Sequence, residues 1–126
     1  MEFDLIRKFF SEPFSALSLS NQSRVLIGIG DDCAVLSQVS SQHLYISTDT
    51  SVEGVHFFSD EDPWSVGWKA LAVNLSDLAA SGARPLAFTL NLSLPRVDPH
   101  WLAAFSTGLL KQAESANCPL VGGDTT

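Results

Sequence analysis

Basic residues are scarce in this chain of 126: 7 Lys and Arg stand against 14 Asp and Glu, giving a formal charge of −7 and a pI near 4.6. Nucleic-acid grooves and anionic membrane surfaces select for clustered Lys and Arg, so neither is expected as a partner. Cysteine is almost absent. Cys33 and Cys118 lie far apart with no CxxC pair, which argues against a disulfide framework and a thiolate zinc site and fits a reducing compartment. The uncharged stretch Pro85 to Pro95 is too short and too polar to span a bilayer, and the acidic opening Met1-Glu2-Phe3-Asp4 leads into no apolar signal region. A cytoplasmic protein is therefore expected. Also missing are the phosphate loop GxxxxGK[ST], the dinucleotide fingerprint GxGxxG, the zinc motif HExxH and the nucleophile elbow GxSxG.

Hydrophobic residues make up 45% of the chain and the mean hydropathy is +0.16, enough to bury the core of one domain. Phe3, Ile6, Phe9 and Phe10 fall at helical spacing, predicting a peripheral opening helix, and the Ser/Asn-rich stretch Ser15 to Ser23 reads as a loop. Val25 to Ile29 and Cys33 to Leu36 read as two short strands around Gly30-Asp31-Asp32, and His43 to Ile46 as a third. Asp62-Pro63 and Asp98-Pro99 each place a capping acid before a proline at the first helical position. The apolar stripes that follow, Trp64, Trp68, Leu71, Leu75, Leu78 and then Leu102, Phe105, Leu109, Ala113, predict two long helices, the first closed by Gly82. Between them Phe88, Leu90, Leu92 and Leu94 alternate with polar residues as a half-buried strand does, and Pro119 to Val121 reads as a last short strand. The order predicts an α+β fold: a mixed or antiparallel sheet with the two long helices on one face, leaving the other face in need of a cover.

Four acidic clusters sit beside apolar runs: Gly30-Asp31-Asp32, Ser47-Thr48-Asp49, Asn74-Leu75-Ser76-Asp77 and Gly122-Gly123-Asp124. Taken singly each has a bland reading, as a turn, a capped strand end or a solvated helix residue. Converging carboxylates repel unless a cation neutralises them, and hard oxygen donors of this kind suit magnesium. The clusters carry no Lys or Arg to hold phosphate, so a phosphate-handling site would rely on metal ions to bridge carboxylates to phosphate oxygens. His56, among apolar neighbours, reads as a rim or core histidine as readily as a ligand-binding one.

The ordered set Gly28-Ile29-Gly30-Asp31-Asp32, Ser47-Thr48-Asp49-Thr50, Glu53-Gly54-Val55-His56-Phe57, Lys69 through Ala80 and Gly122-Gly123-Asp124-Thr125-Thr126 resembles the thiamine-monophosphate kinase family. That family lies within the aminoimidazole-ribonucleotide synthetase-like superfamily of ATP-binding enzymes. The resemblance implies direct transfer of the γ-phosphoryl group of ATP to thiamine monophosphate, giving thiamine diphosphate, with several Mg2+ ions and no covalent nucleophile. It implies Asp32, Ser47, Thr48, Asp49, Asp77 and Asp124 as metal ligands, Gly123 and Asp124 beside ATP, and His56 at the thiamine phosphate, while Asp31 caps its turn. On this resemblance residues 1–126 form a single N-terminal ATP- and metal-binding domain, without the C-terminal domain that closes over the nucleotide or the arginine expected past the glycine-aspartate-threonine motif. The fragment alone is expected to be inactive. The sheet face left open is expected to be covered in a homodimer. Another ATP-using enzyme of the superfamily, or a non-catalytic dimerisation module, are the competing readings.

Overall fold

A computed structural model describes the backbone of residues 2–126 and the side chains from residue 4 onward. The chain opens with an unbroken helical segment: α1 (Glu2–Ile6), a π-helical turn (Arg7–Ser11) and α2 (Glu12–Ser15). It is not peripheral. Leu5, Phe9, Phe10 and Phe14 are buried in the main core, so four large apolar side chains on this segment find a receiving surface that helical spacing alone does not disclose. Within the expected loop, residues 20–24 form a 3-10 turn tied down by Asn21, whose Nδ2 donates to the carbonyls of Pro85 (3.1 Å) and Asn117 (2.8 Å).

β1 (Val25–Ile27) and β2 (Val35–Leu36) pair antiparallel around the Gly30-Asp31-Asp32 turn, with a register shift. The predicted strand over 43–46 is absent: residues 43–50 form neither helix nor strand, and Leu44, Tyr45 and Ile46 are exposed. A strand exists only where a neighbour accepts its backbone hydrogen bonds, and no ladder forms here.

α3 (Pro63–Ala80) starts where the Asp62 carboxylate accepts from the Trp64 N–H (3.2 Å) and the Ser65 hydroxyl (3.1 Å). It ends in paired bonds from the Gly82 N–H to the Ala79 carbonyl and from the Ala83 N–H to the Leu78 carbonyl, with Gly82 at φ +73°. α4 (Pro99–Ala116) is capped by Asp98, which accepts from the His100 and Trp101 N–H groups at 3.1 and 3.3 Å. Its predicted stripe is buried throughout: Leu102, Phe105, Leu109 and Ala113 are each no more than 3% exposed. The helices touch antiparallel through glycine. A Cβ placed on Gly67 would stand 2.0 Å from the Phe105 carbonyl oxygen, and one on Gly108 would stand 1.9 Å from that of Trp64.

β3 (Phe88–Leu92) shows the alternating burial read from its sequence. It pairs in parallel with β4 (Leu120–Thr125), α4 making the crossover, and the pairing continues through the Leu94 N–H to the Thr126 carbonyl. β4 therefore runs well past Val121, and Gly122-Gly123-Asp124 lies inside a strand rather than beyond its end. The fold is mixed α and β, and the described residues form one small antiparallel and one small parallel sheet. Among the described residues no helix is long and apolar enough to cross a membrane.

Candidate functional site

Two of the four acidic clusters meet. The Ser47 hydroxyl lies 3.4 Å from Asp77 Oδ2, joining the segment after residue 46 to the C-terminal half of α3. Further along, Asp49, Thr50, Ser51, His56 and Phe57 share a cavity of about 180 Å³ with Val66, Lys69, Ala70 and Val73. The segment 47–57 thus runs antiparallel to α3, its start beside Asp77 and its end beside Val66.

The end of that segment is a tight turn. The His56 N–H donates to the Val52 carbonyl (2.8 Å) and the Gly54 N–H to the Phe57 carbonyl (2.7 Å). The Val52 N–H donates to His56 Nδ1 at 2.9 Å, so Nδ1 is an acceptor and the neutral ring carries its proton on Nε2. His56 is exposed rather than core-packed.

Asn74 stands one turn before Asp77. Its Nδ2 donates to the Ala70 carbonyl at 3.2 Å, whereas its Oδ1 is buried with no hydrogen-bond partner among the described residues. A buried carbonyl oxygen without a donor is costly, and marks a place where a donor or cation is accommodated. Ser47 Oγ, Asn74 Oδ1 and the Asp77 carboxylate are hard oxygen donors, a set chemically suited to Mg2+.

Among the described residues no other predicted ligand is hydrogen-bonded to this pair. Asp31 Oδ1 accepts from the Asp32 N–H at 2.7 Å, the turn-capping role expected of it, and leaves Asp32 exposed in the same turn. Thr48 and Asp49 are exposed on the segment after Ser47. Asp124 is exposed on β4 opposite Asn91. Gly123 pairs with Leu90 at φ +139°, where a Cβ would stand 1.8 Å from the Leu90 carbonyl oxygen, so the strand approach that carries Asp124 requires glycine. Among the described residues no three His, Cys, Asp or Glu side chains are grouped closely enough to enclose a metal. Lys69 opens one of the motifs quoted above without a role of its own being read from it, and it lines the same small cavity as His56.

Residues 30–126 match the family model described as AIR synthase related protein, N-terminal domain. The chain belongs to this family of AIR synthase related proteins. Within it, the chain is similar to thiamine-monophosphate kinases. It is 50% identical to the Salmonella typhimurium thiamine-monophosphate kinase over 125 residues, 99% of this chain and 37% of the relative. A crystal structure of the Stenotrophomonas maltophilia thiamine-monophosphate kinase matches with a TM-score of 0.76 at 47% identity, covering 83% of this chain and 33% of that one. The Aquifex aeolicus thiamine monophosphate kinase structure matches with a TM-score of 0.57 at 37% identity, over 59% of this chain and 26% of that one. The chain thus spans little more than a third of the length of the relative from Salmonella typhimurium.

Proposed function

We propose that this chain forms the metal- and nucleotide-binding part of an enzyme that transfers the γ-phosphoryl group of ATP to thiamine monophosphate, giving thiamine diphosphate. The observation that carries the reading is the Ser47–Asp77 contact beside an Asn74 oxygen that has no hydrogen-bond partner among the described residues, in a chain half identical to a thiamine-monophosphate kinase. Asp32, Ser47, Thr48, Asp49, Asp77 and Asp124 hold Mg2+, Gly123 and Asp124 lie beside ATP, and His56 meets the thiamine phosphate. Bound Mg2+ supplies charge neutralisation between phosphate-bearing substrates. The protein's own share is positioning: the turn at 52–57 presents His56 Nε2 as a donor, and the β3–β4 pairing fixes the backbone at Gly123. No phosphoenzyme forms.

Residues 1–126 act as a single N-terminal domain that requires a second, nucleotide-closing domain for turnover. We further propose a cytoplasmic homodimer. The support is the number of large apolar side chains left exposed, among them Leu26 at 63%, Ile46 at 81% and Phe58 at 75%, more than an isolated small domain usually leaves in water.

A substrate panel tests the activity. Full-length protein incubated with MgATP should convert thiamine monophosphate and leave aminoimidazole precursors and selenide unreacted, and the reverse preference assigns it to another enzyme of the superfamily. Calorimetric titration of the 126-residue chain with MgATP separates a nucleotide-binding domain from a dimerisation module, since the module binds neither.

A further inference from the structure

The 180 Å³ cavity beside His56 holds a cation that the acidic clusters lack. Lys69 lies on the same face of α3 as Val66, Ala70 and Val73, at offsets of three and four residues that stack side chains along a helix. Its side chain is exposed and forms no ion pair among the described residues. His56 lines the same cavity, its Nδ1 taken by the Val52 N–H so that Nε2–H is left as the donor, and Thr50 and Ser51 line it as well. Lys69 and Asp77 are eight residues apart on one helix, about 12 Å along its axis. One flank of α3 therefore offers the Asp77 carboxylate at one end and, at the other, an ammonium and neutral donors in a cavity whose lining also includes Asp49 and Glu61.

We infer that Lys69 is a substrate-binding residue, holding with His56 the phosphate of the acceptor, a monophosphate ester. The inference rests on the kinase reading above for the acceptor's identity, and on the cavity alone for the anion. An ammonium acts as a point charge on phosphate, and the Nε2–H of His56 adds a directed bond. Glu61 lines the same cavity and supplies the opposite charge, which suits an ester whose organic part is cationic, as thiazolium is.

Inorganic phosphate is the probe. Long-range 1H–15N spectra of the chain should show His56 Nε2 shifting saturably with phosphate at constant pH and ionic strength. Lys69→Met should raise the dissociation constant about tenfold, the loss of one charge-assisted hydrogen bond, and Lys69→Arg should recover most of it. The unshifted Nδ1 signal reports that the turn at 52–57 stays folded in both variants. Equal phosphate affinity in wild type and Lys69→Met, or no response at His56, overturns the assignment. Steady-state kinetics of the full-length protein separate it from the kinase reading. A KM for thiamine monophosphate that rises in Lys69→Met while that for ATP holds supports both. Phosphate bound beside His56 in a protein that does not turn over thiamine monophosphate overturns only the kinase reading, and turnover with an acceptor KM indifferent to Lys69→Met overturns only the role of Lys69.

Discussion

Ser47 Oγ lies 3.4 Å from Asp77 Oδ2, so two clusters 30 residues apart in the chain form one patch of oxygen donors on the flank of α3. Beside it the Asn74 Oδ1 is buried with no hydrogen-bond partner among the described residues. If this patch holds Mg2+, Asp77→Asn, which keeps the shape and removes the charge, should weaken Mg2+ binding in calorimetric titration by at least about tenfold. Ser47→Ala should weaken it less. Unchanged Mg2+ affinity in Asp77→Asn places the metal elsewhere.

The α3–α4 contact yields a stability prediction. Alanine at Gly108 gains about 1 kcal/mol of helix propensity. Its Cβ, however, would stand 1.9 Å from the Trp64 carbonyl oxygen, a backbone atom that no rotamer change can move. The helices must separate, loosening the packing around Phe105 and Leu109, and overpacking of this kind costs about 1–3 kcal/mol. Sterics outweigh propensity, so Gly108→Ala should lower the urea midpoint. A higher midpoint contradicts the close crossing.

Gly123→Ala tests the pairing that carries Asp124. The substitution meets both a positive φ and the Leu90 carbonyl oxygen at 1.8 Å. It should destabilise the fold by about 2 kcal/mol or more and expose the Leu90 and Asp124 amides to hydrogen exchange. Wild-type protection at those amides would show that β4 does not run through this glycine.

Cys118 predicts an alkaline limit. Burial pushes its thiol up to about 12 from 9.0, because the thiolate loses its solvation inside the core. A raised acid pKa stabilises the fold fully below the unfolded value, and that contribution is lost as pH rises from 9 through 12. Cys118→Ala should flatten the fall in urea stability over this window, though its cavity lowers stability at neutral pH. In native protein the exposed Cys33 should react with iodoacetamide well before Cys118. An equally steep alkaline fall in Cys118→Ala would assign it to other groups.

The two long helices were legible because each carries boundary signals locally: Asp-Pro at the start, a stripe at 3.6-residue spacing and, for the first, Gly82 with positive φ at the end; the second is closed by Asn117 with positive φ, a stop the stripe did not announce. Strands depend on partners the sequence does not name. His43 to Ile46 has strand composition and forms none, whereas Gly122 to Thr125 has poor strand composition and is held by backbone bonds to β3. The opening segment shows the same limit for burial: Phe9, Phe10 and Phe14 are apolar at helical spacing either way, and only the assembled core decides that they are inside. In the site, the clusters were readable as motifs and the resemblance set Ser47 and Asp77 in one metal site, whereas their direct contact depends on the path the chain takes from residue 47 along α3.

The acidic clusters are proposed to serve phosphoryl transfer to thiamine monophosphate. 31P NMR of full-length protein with ATP, Mg2+ and thiamine monophosphate tests it most directly. Thiamine diphosphate and ADP should appear together in equal amounts, with the rate lowered about a hundredfold or more in Asp49→Ala and Asp77→Ala, as when a charge-stabilising group is removed. Wild-type turnover in both variants would contradict the account.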